Sequence, residues 1–537
     1  MRRLVPYILI LLLSLLVFNS CARRGTPEGG PLDEDPPRFV SASPANYSIN
    51  FDSEEIRINF DEYIRLEEAQ NQIIISPPME LRPEITPMGG ASRQVRINLV
   101  DTLLPNTTYA INFGRSIVDN NEGNPLNYFR YVFSTGQYID SLQVSGAIRD
   151  AYQASPDPFI SIMLYEMDST YTDSVVYNQT PRYMTNTLDS AITFQLENLK
   201  EGRYQLVAMQ DLNNNYKFNP ATEKIAFLDE PINIPTDSLF LLNLFREELA
   251  FATTRPALQG QQHIIIGYEG VPNPEELQVN VLPPNPSDFT TTITQDRQTD
   301  TLHLWYKPDL ERDSLLIHVN TPQFQDTLTL RLRPSQRDSL MFSFEPSGTL
   351  EMNQQLKLLP TIPLQDIDDS LISLVDRDTL PVSFNTVYDT FRNEIIFDFE
   401  KQAEQRYALQ VLPGAFTDFF GTRNDTLSAE FSTRALSEYG TVTMNIQNLE
   451  NFPVIVQLTN EDYEVLDELF SDAETSFSFE FLRPGNYYIR LIYDQNANRQ
   501  WDTGNFLEKR QPEEMIYFPE LIQVRANWED TYFFTLN

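Results

Sequence analysis

The sequence predicts an all-β protein whose tandem β-sandwich modules form an elongated array. Ile56, Ile58 and Phe60 alternate with polar residues, which is the period-two pattern of a half-buried strand. The chain also has 36 prolines and 12% aromatic residues, and proline breaks helices but is tolerated in turns and at strand edges. Because 537 residues are too many for one hydrophobic core, we expect several modules in a row.

The charge of the chain is strongly acidic, with 76 Asp and Glu against 39 Lys and Arg and a formal net charge of −37. Nucleic-acid binding depends on neutralising phosphates with Lys and Arg. The composition therefore excludes a nucleic-acid partner. It favours a soluble surface, cation binding or a basic partner.

The chain begins with a charged and then apolar segment that ends at Cys21, the single cysteine. The apolar run, 4–18, has about 15 residues, whereas a membrane-spanning helix needs about 20. We interpret 1–20 as a signal peptide and 21–37 as a Pro/Gly-rich tether.

This leader resembles a bacterial lipoprotein signal peptide of the Bacteroidota type, with Phe18-Asn19-Ser20-Cys21 as a loose lipobox. The resemblance implies acylation of Cys21, for example with palmitate, and a lipid anchor in the outer membrane. It leaves open whether the modules face the periplasm or the cell surface. The alternative is an ordinary secretory signal followed by an incidental cysteine.

The first module, 38–136, opens with Ser41–Asn46 and closes with Phe133–Gly136. Between them are Thr108-Tyr109 and an Asx-rich cluster, Asp119–Asn124, which we interpret as a turn. These residues resemble the SbsA-type bacterial Ig-like domain (Big_5). The resemblance implies a β-sandwich with a structural or adhesive role.

The second module, 137–248, contains the pattern Phe194, Leu196, Leu199, Gly202 and Tyr204. It resembles the transthyretin-like and carboxypeptidase-regulatory-like sandwiches, which implies a further all-β module. The third module, 249–345, has strand-like runs separated by Pro- and Asp-rich turns, and we assign it to no family.

The remainder of the chain repeats the first two modules. In 346–435, Tyr407 corresponds to Tyr109 and Phe431 corresponds to Phe133, which predicts a second Ig-like unit. In 436–537 a constant offset relates five residues to the second module, which predicts a second transthyretin-like sandwich: Phe477, Leu482, Gly485, Tyr487 and Asp494 match Phe194, Leu199, Gly202, Tyr204 and Asp211.

Two corresponding loops are candidate calcium sites, because they place oxygen ligands at alternate positions. The candidate ligands are Asp211, Asn213, Asn215, Asp494, Asn496 and Asn498, with Glu223 and either Asp502 or Glu508 as a later carboxylate. The sixth position is Tyr216 or Arg499 instead of the glycine of an EF-hand. A plain Asx-rich hairpin explains the pattern as well, since Asp and Asn favour tight turns.

No other cofactor is expected. His263, His303 and His318 lie in apparent strands without a zinc-binding spacing, and zinc sites need convergent ligands. The chain has no G-x-S-x-G motif and no Gly-rich phosphate loop. An enzyme within 249–345 would need a pocket around these histidines.

The motif Asp-Ser/Thr followed by a small or branched apolar residue recurs along the chain, and it resembles the O-glycosylation acceptor of Bacteroidota envelope proteins. A mechanical reading stays open, since Asp-Ser/Thr forms a turn and the apolar residue starts the next strand. The candidate acceptors are Thr102, Ser141, Ser190, Ser238, Thr301, Ser314, Thr327, Ser339, Ser370, Thr379 and Thr426.

We therefore expect a non-enzymatic, lipid-anchored envelope protein that acts as a scaffold or binding arm. Its expected partners are the outer membrane itself and an outer-membrane β-barrel or envelope complex, to which it would be an accessory subunit. The alternative is a surface adhesin or glycan-binding lipoprotein, for which Trp305, Trp501 and Trp528 are the candidate contact residues.

Overall fold

The computed structural model describes residues 33–187 and 192–536. The leader, Cys21 and Ser190 lie outside the described residues. The structure is 48% strand and 3% helix, so the all-β prediction is confirmed. Within the described ranges, no helix has the length and apolar character needed to cross a membrane.

The chain divides into two compact units. One comprises the described part of Met1–Leu142 with Tyr183–Leu188 and Glu197–Lys200. The other comprises Gln143–Arg182, the described part of Asp189–Leu196, and Glu201–Asn537 up to residue 536. We number the modules 1 to 5 by the five residue ranges given above.

Module 1 is a two-sheet sandwich in which β1-β2-β5-β4, with β7 on β2, faces β3-β6-β8. The alternation of β2 buries Ile56, Ile58 and Phe60, which pack with Tyr109 and Phe133 of the second sheet. Its elements are β1 Phe39–Ser43, β2 Glu55–Leu66, α1 Ala69–Gln72, β3 Ile74–Ser76, β4 Glu84–Thr86, β5 Ser92–Asn98, β6 Thr108–Asn112, β7 Ile117–Asp119 and β8 Arg130–Ser134.

Module 2 is built around the long, largely buried strand β13, which pairs with β10 on one side and with β14 and β15 on the other. In its second sheet β16 runs parallel to β9. Its elements are β9 Leu142–Asp150, β10 Ser161–Glu166, α2 Val175–Asn178, β11 Tyr183–Asn186, β12 Thr193–Leu199, β13 Gly202–Met209, β14 Ile225–Phe227, β15 Ile232–Ile234 and β16 Leu239–Leu244.

Module 3 has the sheets β17-β18-β21-β20 and β19-β22-β23. Apolar residues at alternate positions of β18, β21 and β22 fill the space between them. Its strands are β17 Ala252–Gly260, β18 His263–Glu269, β19 Gln278–Val281, β20 Thr290–Gln295, β21 Thr301–Lys307, β22 Ser314–Asn320 and β23 Gln325–Arg331.

Module 4 has the sheets β24-β26-β30-β29, β25-β33-β31-β28 and the pair β27-β32. Strand β24 pairs with β26, so this sheet includes residues before 346. Its elements are β24 Phe342–Glu345, β25 Gly348–Thr349, β26 Leu356–Pro360, β27 Leu364–Ile367, a 3-10 turn Asp369–Leu371, β28 Ile372–Asp376, β29 Asn385–Asp389, β30 Glu394–Asp398, β31 Arg406–Val411, β32 Phe416–Asp418 and β33 Leu427–Ser432.

Module 5 has the sheets β37-β34-β41 and β36-β35-β38-β39, with β40 on β38. Its elements are a 3-10 turn Leu436–Glu438, β34 Gly440–Gln447, β35 Val454–Thr459, β36 Val465–Ser471, β37 Ser476–Leu482, β38 Gly485–Tyr493, β39 Met515–Tyr517, β40 Ile522–Val524 and β41 Glu529–Thr535.

The predicted repeat is present in the sheet topology. β41 runs parallel to β34 in module 5, as β16 does to β9 in module 2. The first residue of the long strand pairs with an equivalent residue in each copy, Gly202 with Ile234 and Gly485 with Val524.

Modules 1 and 4 share a tyrosine corner, in which a tyrosine hydroxyl accepts a hydrogen bond from a backbone N–H a few residues upstream. Tyr109 accepts from Leu104 N at 2.8 Å, and Tyr407 accepts from Gln402 N at 2.7 Å. Both tyrosines lie opposite the predicted phenylalanine, Phe133 or Phe431.

Packed junctions join modules 3, 4 and 5. At the junction of modules 3 and 4, Trp305 packs with Ile362 and Phe419. At the junction of modules 4 and 5, Glu351 accepts hydrogen bonds from Tyr439 and Arg483 at 2.6 and 2.9 Å. Burial would raise the pKa of Glu351, but Tyr439 and the arginines hold it below its ordinary value.

Candidate functional site

The first Asx-rich loop follows β13 and is closed by its own carboxylates. Asp211 accepts hydrogen bonds from the backbone N–H groups of Asn215 and Tyr216 at 3.1 and 2.9 Å. Glu223 is fully buried and accepts from the N–H groups of Leu212 and Asn219 at 3.1 and 2.8 Å. Burial raises the pKa of both Asp211 and Glu223.

The second loop follows β38 and repeats this arrangement. Asp494 accepts from Asn498 N and Arg499 N at 3.1 and 2.9 Å. The sixth residue of each loop, Tyr216 or Arg499, has a left-handed backbone with φ of 59° or 63°. The loops therefore share a conformation that the sequence match predicts.

The closing carboxylate of the second loop is Glu513, which the sequence analysis missed. Glu513 accepts from Gln495 N at 2.7 Å and Asp502 N at 3.0 Å, as Glu223 does in the first loop. Asp502 and Glu508, the carboxylates predicted for the second loop, do not close its backbone: Asp502 accepts from the side chains of Asn496 and Asn498, and Glu508 lies near Arg510. Their role as calcium ligands stays a prediction.

An insertion moves the closing carboxylate of the second loop further along the chain. Glu223 follows Asp211 by 12 residues, whereas Glu513 follows Asp494 by 19, so the second loop is seven residues longer. Aligning the two copies without a gap therefore places Phe506, which has no carboxylate, opposite Glu223. A search for any later Glu in the second loop would have included Glu513.

The longer loop of module 5 docks onto module 2, and we call 503–511 the docking segment. Phe506 is fully buried and packs edge-to-face against Phe227, with ring centroids 5.2 Å apart. Its backbone N–H donates to Glu247 at 2.6 Å, and burial raises the pKa of Glu247. Gln511 Nε2 donates to Phe227 O at 3.1 Å.

Polar contacts flank this aromatic centre. Thr503 Oγ1 donates to Arg246 O at 2.6 Å, and Lys509 Nζ lies 2.6 Å from Asp173 Oδ1. Gly504 is required by close approach, because a Cβ there would lie 2.6 Å from the Phe245 ring and 2.8 Å from Arg510 O. The docking segment thus has an apolar centre and a polar rim, as protein interfaces do.

A buried arginine forms a second contact between modules 2 and 5. Arg490 on β38 has no exposed surface and donates to Gln457 at 2.7 Å and to the Tyr517 hydroxyl at 2.9 Å. It also donates to the Tyr152 hydroxyl at 3.0 Å, and its guanidinium lies 4.3 Å from the Tyr152 ring centre. Neutral acceptors and ring faces thus surround this charge.

The structure brings two of the three histidines together in module 3. His263 Nδ1 lies 2.6 Å from Asp338 Oδ2, and His263 Nε2 lies 2.7 Å from His303 Nδ1. His303 Nε2 lies 3.3 Å from Asp296 Oδ2. We call these four residues the histidine chain. It was not predicted from the sequence, because the pairing of His263 with His303 depends on the register of β18 with β21.

His318 is not part of this group. It lies on β22, with Nδ1 3.2 Å from Thr327 Oγ1. All four ring nitrogens of His263 and His303 face each other or a carboxylate. They are therefore occupied, whereas a general base needs a nitrogen within hydrogen-bond reach of a substrate proton.

A polar cleft of about 700 Å³ borders the histidine chain at Asp296. Its wall is the hairpin that follows β20, including Arg297, and its other side carries Glu345, Lys357 and Arg392 of module 4. The lining also contains Gln295, Gln298, Ser343, Leu359 and Glu394. Lys357 is paired with Glu394 at 3.0 Å.

The tryptophans differ in exposure. Trp305, a candidate glycan contact, is buried and stacks on His263 with ring centres 3.6 Å apart, so that prediction is wrong for Trp305. Trp501 is half-buried and donates to Glu513 O. Trp528 is 53% exposed, with Arg525 over its ring.

The candidate glycosylation residues lie at the surface. Thr301 is half-buried, and the other nine described acceptors are exposed. Leu142, Leu239 and Leu427, which follow three of them, begin strands. Surface exposure and strand initiation are both seen, so the two readings of the motif stay open.

The Asp119 cluster is a turn. Asp119 accepts from the N–H groups of Asn121, Glu122 and Asn124 at 2.6–2.8 Å. Among the residues that the structure describes, no group of three or more His, Cys, Asp or Glu side chains is placed to hold a metal ion. For the two Asx-rich loops, calcium binding and a plain Asx-rich hairpin both stay open as interpretations.

Residues 33–135 match the bacterial Ig-like domain family (Big_5), as the resemblance of module 1 predicts. The comparison with curated proteins found no match. Among solved structures, domains 1–6 of the surface-layer protein SbsC match over 87% of this chain and 67% of that chain, with 10% identity and a TM-score of 0.15.

The major pilin subunit of Bacillus cereus matches over 74% of this chain and 99% of its own, with 10% identity and a TM-score of 0.13. The Bacillus anthracis TIE protein matches over 95% and 75%, with 10% identity and a TM-score of 0.14. These values are too low to transfer a function or a partner to this chain.

Proposed function

We propose that this chain is a non-enzymatic, lipid-anchored scaffold of the bacterial cell envelope, which presents its modules to an outer-membrane β-barrel or envelope complex. The observation that carries the proposal is the docking segment. It packs module 5 against module 2, while the intervening modules are joined by the Trp305 and Glu351 junctions. A scaffold needs such fixed relations between its modules, because preorganised surfaces lose less entropy on binding.

Three further observations support a role without catalysis. The sandwich cores are filled by apolar side chains. The ring nitrogens of His263 and His303 are occupied by one another and by Asp338 and Asp296. The family matched by module 1 is an Ig-like domain, a fold that hosts many functions and is judged by its sites.

The anchor is tested by Cys21→Ala in cells that express the full chain. We expect the variant to move from the membrane fraction to the soluble fraction, because the acyl chains would be its only tether. Thr26→Ala, in the tether and outside the lipobox, serves as the matched control and keeps the cysteine. Membrane attachment of Cys21→Ala equal to that of the control would refute the anchor.

The partner is tested by affinity capture of the tagged full chain from solubilised outer membranes, followed by mass spectrometry. We expect a β-barrel or an envelope complex to be enriched over a capture with Cys21→Ala. Phe506→Ala, which loosens the module 2–5 contact, should reduce that enrichment. A capture with no enriched membrane protein would contradict the scaffold proposal.

A surface adhesin or glycan-binding protein is the second candidate. Trp528 favours it, because an exposed tryptophan supplies a flat apolar surface with a polar edge. Glycan-array binding that is lost in Trp528→Ala but kept in Leu521→Ala, an exposed apolar neighbour in module 5, would support this alternative. Equal binding by both variants would count against it.

A further inference from the structure

The histidine chain links three separate pieces of the structure. His263 and His303 lie on the neighbouring strands β18 and β21. Asp296 belongs to the hairpin that forms one wall of the polar cleft. Asp338 belongs to the segment between β23 and β24, through which the chain enters module 4.

The Asp338 carboxylate lies close to the backbone between β17 and β18, beside Gly260. A Cβ at Gly260 would lie 2.8 Å from Asp338 Oδ2 and 3.0 Å from Oδ1. Only a residue without a side chain lets the carboxylate come this near to the strands. Gly260 therefore leaves room for this approach, and the contact of Asp338 Oδ2 with His263 Nδ1 at 2.6 Å holds the carboxylate there.

The number of protons that the hydrogen bonds of the histidine chain require can be counted. The histidine chain has three contacts, and both groups in each contact accept hydrogen bonds when they are unprotonated. These contacts join Asp338 to His263, His263 to His303, and His303 to Asp296. Each contact needs one proton. Two neutral imidazoles supply one N–H each, so the three contacts need one proton more than the neutral pair carries.

We propose that the folded protein holds this additional proton on the histidine pair, and that the proton ties the wall of the polar cleft to the core of module 3. In this state His303 donates through Nε2 to Asp296 and through Nδ1 to His263. Without the proton, one of the three contacts would have two lone pairs facing each other. In the tautomer that keeps the hydrogen bond between the two rings, this contact is the one between His303 Nε2 and Asp296.

The proton lies on the His303 side of the pair. Burial, together with the charge of His303, lowers the pKa of His263 to about 4, against the opposing effect of Asp338. His263 is 5% exposed and lies under Trp305. His303 is less buried and has a carboxylate at its outer nitrogen.

Other charged groups on the surrounding elements are engaged elsewhere. Arg337, next to Asp338, donates to Gln262 Oε1. Arg297, next to Asp296, donates to Asn393 O. Lys307, at the end of β21, donates to Phe419 O and Gln365 Oε1. Asp296 and Asp338 are thus the carboxylates that the pair addresses.

Asp296 holds its hairpin as well as the histidine. Its Oδ1 accepts from the N–H groups of Gln298 and Thr299, each at 2.9 Å. Its Oδ2 faces His303. Movement of this carboxylate therefore moves the hairpin wall of the cleft, so the shared proton makes the shape of the cleft sensitive to pH.

The test is nuclear magnetic resonance of the full chain with labelled histidine rings, recorded between pH 4 and 9. The chain has three histidines, so three sets of signals are expected. Asp296→Asn is the informative variant, because an amide can donate to the lone pair of neutral His303 and so makes the additional proton unnecessary. From the nitrogen signals of the two rings at neutral pH, we expect three N–H groups on the pair in the unmodified protein and two in Asp296→Asn.

His318→Asn assigns the third signal and is the matched control, since His318 is not part of the histidine chain. Gly260→Ala displaces Asp338 without a change of charge and should also reduce the number of N–H groups on the pair. Only two N–H groups on the pair in the unmodified protein, or the same number in Asp296→Asn and the unmodified protein, would overturn the proposal.

Discussion

Replacing Phe506 by alanine tests whether the docking segment holds modules 2 and 5 together. The ring has no exposed surface and packs on Phe227, with Lys509 Nζ 4.1 Å from its centre. Truncation of a buried phenylalanine typically costs about 3–5 kcal/mol, because apolar contacts are lost and a cavity remains. Since loops relax more easily than a sandwich core, we expect about 3 kcal/mol.

The matched control is Leu507→Ala, one residue further along the same segment. Leu507 is 56% exposed, and surface substitutions usually change stability by less than about 0.5 kcal/mol. Both variants keep the length and charge of the segment. They differ in whether the removed side chain is buried against module 2.

The measurement is urea unfolding followed by tryptophan fluorescence. Trp501 lies at the module 2–5 contact, with its ring centre 4.9 Å from that of Tyr152, and therefore reports on separation of these modules. We expect Phe506→Ala to move the first transition to lower urea and Leu507→Ala to leave it in place. If the two variants unfold alike, the docking segment does not hold the modules together.

Four further outcomes are expected. Gly504→Ala should destabilise the same transition, because its Cβ would meet the Phe245 ring at 2.6 Å; an unchanged midpoint in urea would show that the segment moves freely. Arg490→Lys should cost about 1–3 kcal/mol in urea unfolding, because an ammonium group cannot replace the guanidinium fork toward Tyr152 and Gln457; a cost equal to that of an exposed arginine such as Arg525→Lys would contradict this. The pKa of Glu351 is lowered in the folded state, so the stability that this carboxylate contributes is present above its unfolded pKa and is lost as pH falls through its folded pKa. Glu351→Gln should therefore make the free energy of unfolding depend less on pH in the acid range, as measured by circular dichroism. The same pH dependence in both proteins would count against the ion cluster. Chelation of calcium should leave the melting temperature unchanged, because backbone N–H groups already occupy Asp494 and Glu513; a rise on adding calcium that Asp494→Asn abolishes would instead establish a metal loop.

The architecture was predictable because it depends on local patterns that recur. Alternation in β2 identifies the buried face of a strand. The match of Phe194 with Phe477 and of Gly202 with Gly485 identifies a duplication, and the parallel pairs β9-β16 and β34-β41 repeat in the structure. Such features need no knowledge of distant contacts.

The contacts between distant residues were not predictable in this way. The histidine chain depends on one register, in which His263 lies opposite Trp305 and His303 opposite Ile265, and a change of register by one residue would place both rings elsewhere. The burial of Trp305 follows from the same register. Composition and spacing contain no information about it.

The docking segment was predictable from the sequence only in part. Its seven additional residues are visible in the sequence once Glu513 is matched with Glu223, but the place where they bind is not. Phe506 is one apolar residue in a polar loop. Only the neighbouring surface of Phe227, Phe245 and Glu247 explains its burial.

The insertion makes the two copies of the duplicated module unequal partners. One copy carries the inserting segment and the other carries the receiving surface, and modules 3 and 4 connect them covalently. Such a link replaces a bimolecular association by an intramolecular one, whose effective concentration is set by the length and stiffness of the connection. A contact of modest intrinsic affinity is then sufficient to stay closed. The same complementarity exists between neighbouring molecules, so a high local concentration of the chain would allow the segment of one molecule to exchange into another.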